Sequence, residues 1–180
     1  SDVSSPVRAP GYTIKQAIMT RQFWTMWTMV VCSATAGLNT ASIYKQFAGT
    51  EPTLRGDVFQ ASVGGIAAVF NGCGRLLWGI LSDAIGFKNS FTLLTIIQGL
   101  FMFTYQYSGK NRLAFTANTC ALFFCLAGNL ALMPAAVQRV FGPHAGAAIY
   151  GVLFSSFAVA STVGSTVTKK LAVTIGWSGV

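Results

Sequence analysis

Asn71-Gly-Cys-Gly-Arg75-Leu-Leu-Trp78-Gly79-Ile-Leu-Ser82-Asp83-Ala-Ile-Gly86-Phe-Lys88 is the stretch on which the reading of this chain turns. Arg75 stands inside a run otherwise apolar enough to cross a bilayer. A guanidinium at the centre of a membrane helix costs about 2.5 to 3.5 kcal/mol on insertion scales, so it is rarely idle. A short polar segment, 82–88, follows and reads as a compact turn between two spanning helices, with Gly86 supplying backbone angles that other residues resist.

Composition agrees with a membrane setting. The chain has 180 residues, of which 53% are hydrophobic and only 9% charged. A soluble domain carries roughly 25% charged residues, so this chain has too few to solvate a surface of its size. Outward from the opening stretch, five apolar runs are expected at about 23–44, 58–81, 91–107, 113–136 and 145–168. About 20 helical residues cross a 30 Å hydrocarbon core, so each is long enough, the third only just. A sixth run starts near Leu171 and is incomplete at Val180. Residues 1–22 read as a polar linker followed by a short interfacial helix, and residues 23–180 as the transmembrane bundle. Long continuous runs without a ten-residue alternation favour helices over barrel strands, so the fold class is all-α.

Charge is lopsided, with 12 basic and 4 acidic residues and a net charge of +8. Most basic residues fall in the gaps between runs, where lipid headgroups are their natural partners. No polar segment interleaves basic residues with aromatics, so a nucleic-acid partner is not expected. With the N-terminus inside, Arg8, Lys15, Arg21, Lys88 and Arg139 fall on the inner side, and Lys45, Arg55, Lys110, Arg112, Lys169 and Lys170 on the outer. That count does not decide orientation, although the basic residues ahead of the first run favour an inner N-terminus. Aromatics near run ends, among them Phe23, Trp24, Trp27, Tyr105, Tyr107, Trp177 and Trp78, resemble an interfacial belt.

Few residues carry chemistry. Asn71, Arg75, Gly79 and Asp83 share one helical face at spacing four. Arg75 has no acid within a confident span. It either binds an anion in a water-filled cavity, through its fork of donors, or pairs structurally with an intramembrane acid or backbone carbonyls and holds helices together. Asn71, one turn earlier, is expected to bond substrate, to orient Arg75, or to make an interhelical bond. Asp83 can accept from the free N–H groups of the following helix or pair with a base. Pro134, near the end of the fourth run, is expected to bend or end its helix. His144 reads as a loop residue. Cys32, Cys73, Cys120 and Cys125 lack any CxxC or metal-ligand spacing and read as packing residues. No nucleophile–base set, paired carboxylate or phosphate-binding loop is present, so neither an enzyme nor a cofactor or metal is expected.

Gly79-Ile-Leu-Ser-Asp83-Ala-Ile-Gly86-Phe-Lys88 resembles the signature loop of the major facilitator superfamily, with Gly79, Asp83, Gly86 and Lys88 at its marked positions. Two further stretches resemble the oxalate–formate antiporter group. Thr20-Arg-Gln-Phe-Trp-Thr-Met-Trp27 with Thr35-Ala-Gly37 is similar to the start of its seventh helix. Leu126-Ala-Gly-Asn-Leu-Ala-Leu-Met-Pro134-Ala135, then Phe141-Gly142 and Tyr150-Gly151, is similar to its tenth and eleventh. Monocarboxylate transporters are the neighbouring group.

The resemblance implies the C-terminal half of a secondary transporter of small organic anions, an antiporter or symporter working by alternating access. It covers helices seven to eleven and the start of the twelfth. The signature loop, and with it the N-terminus of this chain, is expected on the cytoplasmic side. Arg75 falls where such carriers hold a binding-site arginine. The position of Asn71, often acidic in monocarboxylate carriers, is an amide here. A second cation of oxalate carriers aligns to about Phe157, which is not basic, and this favours a monocarboxylate over oxalate. The partners implied are the anion, the bilayer and an N-terminal half lying outside this chain, in the same protein or another. Two rival readings are a structural or assembly membrane subunit that keeps the fold without transport, and a transporter of a non-anionic solute.

Overall fold

A computed structural model describes residues 12–175, with side chains through residue 170. The expected linker at 1–11 and Trp177 lie outside the described residues. The described chain is almost wholly helical, in the order α1 (Ile14–Ile18), α2 (Arg21–Thr50), α3 (Asp57–Ile85), α4 (Phe87–Tyr105), α5 (Arg112–Phe141), α6 (Pro143–Leu153) and α7 (Ser155–Ile175). Short 3-10 turns at Pro52–Leu54 and Gln106–Lys110 precede α3 and α5.

Local sequence sets the helix starts. Thr13 and Gln16 form a reciprocal capping box at α1. Thr20 caps α2 by accepting from the Phe23 N–H at 3.2 Å, and Asn111 caps α5 by accepting from the Leu113 N–H at 2.8 Å. Three segments are long and apolar enough to cross a membrane by length and composition: Asp57–Ile85, Arg112–Phe141 and Pro143–Lys170. The remaining two expected spans correspond to α2 and α4. Both are long, but Thr, Ser, Asn and Gln dilute their apolar character.

The central element is α5, an apolar helix buried on most of its circumference, as expected of a helix at the middle of a bundle. It receives α3 and α4 along its length and α6 and α2 along other faces, while α7 packs on α2. The larger core joins Phe23, Met26, Val30, Trp78, Leu94, Cys125, Leu132, Met133 and Phe141. A smaller one, around Phe47, Tyr105, Phe115 and Leu122, closes the opposite end. Close approach of α3 to α5 depends on two glycines. A Cβ on Gly74 would stand 2.9 Å from both Ala127 and Phe124, and one on Gly128 would collide with Leu94 and Trp78.

Three local expectations need correction. The polar turn at 82–88 shrinks to one residue: α3 runs to Ile85, Gly86 alone leaves the helix at φ 82°, and α4 begins at Phe87. Gly79 is therefore mid-helix, Asp83 in the last turn of α3, and Lys88 in the first turn of α4. Gly142 makes the same one-residue hinge between α5 and α6 at φ 89°. The Gly86 and Gly142 N–H groups bond back to the Ser82 and Gln138 carbonyls, each at 3.0 Å. Second, Pro134 does not end its helix, since α5 continues to Phe141. Proline removes one i→i−4 hydrogen bond and its ring crowds the Leu130 carbonyl, so of the two outcomes named for Pro134 a bend stays the expectation. Third, Trp78 is no belt residue, and neither are Phe23 and Tyr105, which are buried in the two cores. Trp78 is buried, and its indole Nε1–H donates to the Phe124 carbonyl at 3.0 Å. At the far end, the expected fifth run is split between α6 and α7 at Phe154, and α7 passes through Leu171 to Ile175.

Candidate anion site on α3

Helix α3 packs one face on α5 through Val63, Ala67, Gly74, Trp78 and Ser82, leaving the rest of its circumference open. The open part has two unlike sides. Ile66, Val69, Phe70, Leu76, Leu77 and Ile80 form a bulky, exposed apolar side. The other side repeats every seven residues, as Ala61, Ala68 and Arg75, and as Gly65, Gly72 and Gly79. No atom lies within 4 Å of where a Cβ on Gly65, Gly72 or Gly79 would stand. Large apolar side chains suit lipid, whereas small residues admit the close approach of another backbone or a water-filled space. Arg75 thus emerges on the side that lipid does not favour.

Asn71 holds Arg75 in place. Its amide Nδ2–H donates to the Phe123 carbonyl of α5 at 2.9 Å, and its Oδ1 accepts from the Arg75 guanidinium at 3.4 Å. Two of the roles expected for Asn71, interhelical bond and orienter, are therefore filled together, and the amide has one N–H left. Arg75 makes no ion pair among the described residues. The ion pair found among them, Arg139 with Asp83 at 3.3 Å, lies at the α3 and α5 hinge ends. Asp83 thus engages a base on α5 rather than the N–H groups of α4, and Lys88 is exposed nearby.

A further residue enters from α6. Tyr150, half-buried on α6, lies within electrostatic range of Arg75, with no hydrogen bond between the two. Sequence reading used Tyr150 only as a landmark beside Gly151. Spacing along one helix could not pair it with Arg75, because the two lie on separate helices. Phe157, where a second cation was sought, turns into the core at 5% exposure and stacks on Phe154 at 4.8 Å. The resulting site has one cation and one amide, with a phenol in electrostatic range. That set can bind a small anion bidentately and offer one further hydrogen bond. His144 is exposed in the first turn of α6, and the cysteines are free. No group of three or more His, Cys, Asp or Glu side chains gathers among the described residues.

No family model matches the chain. It is 33% identical over 172 residues to Apicoplast pyruvate carrier 1 of Toxoplasma gondii, a match covering 93% of this chain and 31% of the carrier. It is 27% identical over 159 residues to the uncharacterized MFS-type transporter YhjX of Escherichia coli strain K12, covering 88% and 39%. Its identity to the oxalate:formate antiporter of Oxalobacter formigenes is 27% over 164 residues, covering 91% and 39%. The chain spans between 31% and 39% of the length of these relatives.

Proposed function

We propose, since the chain is a homologue of major facilitator transporters, that it forms the C-terminal half-bundle of a secondary transporter of small monocarboxylate anions. Arg75 is the anion-binding residue, Asn71 positions it, and Tyr150 contributes a hydroxyl. The single observation that carries this reading is the placement of Arg75: exposed on the small-residue side of α3, tethered by Asn71, and facing no carboxylate. A guanidinium held that way retains its donors for a ligand. Alternating access by rocking of two halves follows for this fold, with the site between them near the midplane. The second half lies outside this chain, and the N-terminus of the chain faces the cytoplasm.

The single cation supports a monoanion over oxalate, because a dianion needs a second charge and Phe157 is buried and apolar. The name of one relative, a pyruvate carrier, supports the same class. The test is uptake of labelled pyruvate, lactate, formate and oxalate into proteoliposomes holding the transporter that contains this chain. Monocarboxylate uptake is expected, and it should be lost in Arg75→Gln and strongly impaired in Arg75→Lys. Uptake at the native rate by either variant rejects the assignment. No counterflow with any carboxylate would favour the non-transporting subunit.

A further inference from the structure

At the end of the bundle that carries the two glycine hinges, α2 and α4 stand apart over α5. The opening is a cleft of about 430 Å³, floored by Met26, Phe87, Ala136 and Val140. Two guanidiniums stand on its rim, Arg21 from the start of α2 and Arg139 from the end of α5. The cleft does not stop there. Arg21 and Thr25 also line a second hollow, with Trp24, Thr28, Met29 and Cys32. Met29 and Cys32 in turn line a third, with Phe91, Thr95 and Gln98 of α4. Arg21 and Thr25 border the first two hollows and Met29 and Cys32 the last two, so the three follow one another along α2 as a groove.

We propose that this groove binds an anionic phospholipid, with its phosphate between Arg21 and Arg139 and one acyl chain laid along α2. Charge complementarity argues for the head. Lys15, Arg21, Lys88 and Arg139 lie at this end, and among the described residues Asp83 is the only acid there. Asp83 does engage Arg139, but both side chains of that pair are mostly exposed, at 79% and 56%. A lipid phosphate reaches the same guanidinium without displacing anything buried. Length argues for the chain. One leaflet of hydrocarbon is about 15 Å deep, or about ten helical residues. Ten residues from Arg21 reach Val31, so an acyl chain ends before the buried polar Ser33 and Gln98. Over that distance the walls are Met26, Trp24, Met29, Phe87 and Phe91, which suit hydrocarbon. This site is separate from Arg75 and does not depend on the proposed substrate.

Trp24, on the wall, supplies a reporter. The transporter that contains this chain is purified in detergent and titrated with phosphatidylglycerol brominated on its acyl chains, and with phosphatidylcholine brominated in the same way. Saturable quenching of tryptophan fluorescence is expected, with about a tenfold preference for phosphatidylglycerol, and Trp24→Phe should remove most of the signal. In Arg21→Gln/Arg139→Gln the preference should fall below about twofold, with helical circular dichroism unchanged. Should that variant misfold, Thr25→Phe fills the groove from an exposed position and should abolish saturable quenching alone. Equal quenching by both lipids in the native chain overturns the proposal. So does an unchanged preference in the double variant, or displacement of the lipid by inorganic phosphate, which marks a headgroup site without the groove. Absence of quenching by either lipid, the result if a protein segment covers the groove, overturns it too.

Discussion

Asp83 and Arg139 pair at 3.3 Å, and each stands three residues ahead of a glycine with positive φ, Gly86 and Gly142. The pair therefore ties two one-residue hinges side by side, at the end where α3 turns into α4 and α5 into α6. Because both partners are mostly exposed, the pair is expected to contribute little stability, about 0 to 1 kcal/mol. Asp83→Asn and Arg139→Gln should each shift unfolding in detergent by no more than that. A double-mutant cycle should give a coupling in the same range that shrinks with salt. Losses of several kcal/mol per variant would mean the pair is buried.

The hinges themselves should matter more. Gly86 has φ 82° and ψ 158°, and Gly142 φ 89° and ψ 159°, a backbone region open essentially to glycine alone. Gly86→Ala and Gly142→Ala are each expected to cost about 1 to 3 kcal/mol. Gly99 is the control, being helical with open space where a Cβ would go. Gly99→Ala should be neutral or stabilise by roughly 0.4 to 1 kcal/mol. Thermal unfolding of the three variants side by side checks the contrast, which disappears if the hinge angles are wrong.

The α3–α5 contact predicts a steric effect. A valine at Gly128 meets Leu94 and Trp78, and one at Gly74 meets Ala127 and Phe124. Overpacking of this kind costs about 1 to 3 kcal/mol and forces neighbours off their rotamers. Gly128→Val and Gly74→Val should therefore lower the unfolding temperature, whereas Gly72→Val, on the open side of α3, should not. An equal loss in all three would show that the effect does not come from the α3–α5 contact and remove the packing argument.

Asn71 offers the sharpest test of the anion site. Its Oδ1 accepts from Arg75 at 3.4 Å, so Asn71→Asp puts a carboxylate against the guanidinium and neutralises it. Asn71→Ala removes the tether but leaves the charge. Uptake should fall by about tenfold or more in Asn71→Asp, the scale of a charge-assisted hydrogen bond, and by less in Asn71→Ala. The reverse order would show that Asn71 touches the substrate itself.

How much of this was legible in the chain differs by residue. The apolar runs were readable, because they depend on composition alone. Arg75 was readable for the same reason, since one charge in an apolar run needs no neighbour to be noticed. The hinge at Gly86 was only half readable. Its glycine was visible, but three polar neighbours, Ser82, Asp83 and Lys88, suggested a loop where the helix in fact runs on to Ile85.

By itself, then, the sequence determined that the protein is a helical membrane bundle with a cation to explain. In hydrocarbon each backbone N–H must be satisfied within its own segment, and that demand is written locally. The tertiary structure alone decided which way side chains face. It turned Trp78 and Phe157 inward and engaged Asn71 with both the Phe123 carbonyl and Arg75. Those outcomes depend on how helices far apart in the chain cross and rotate against one another. The packing that sets those angles is shared among all of them and belongs to no single stretch.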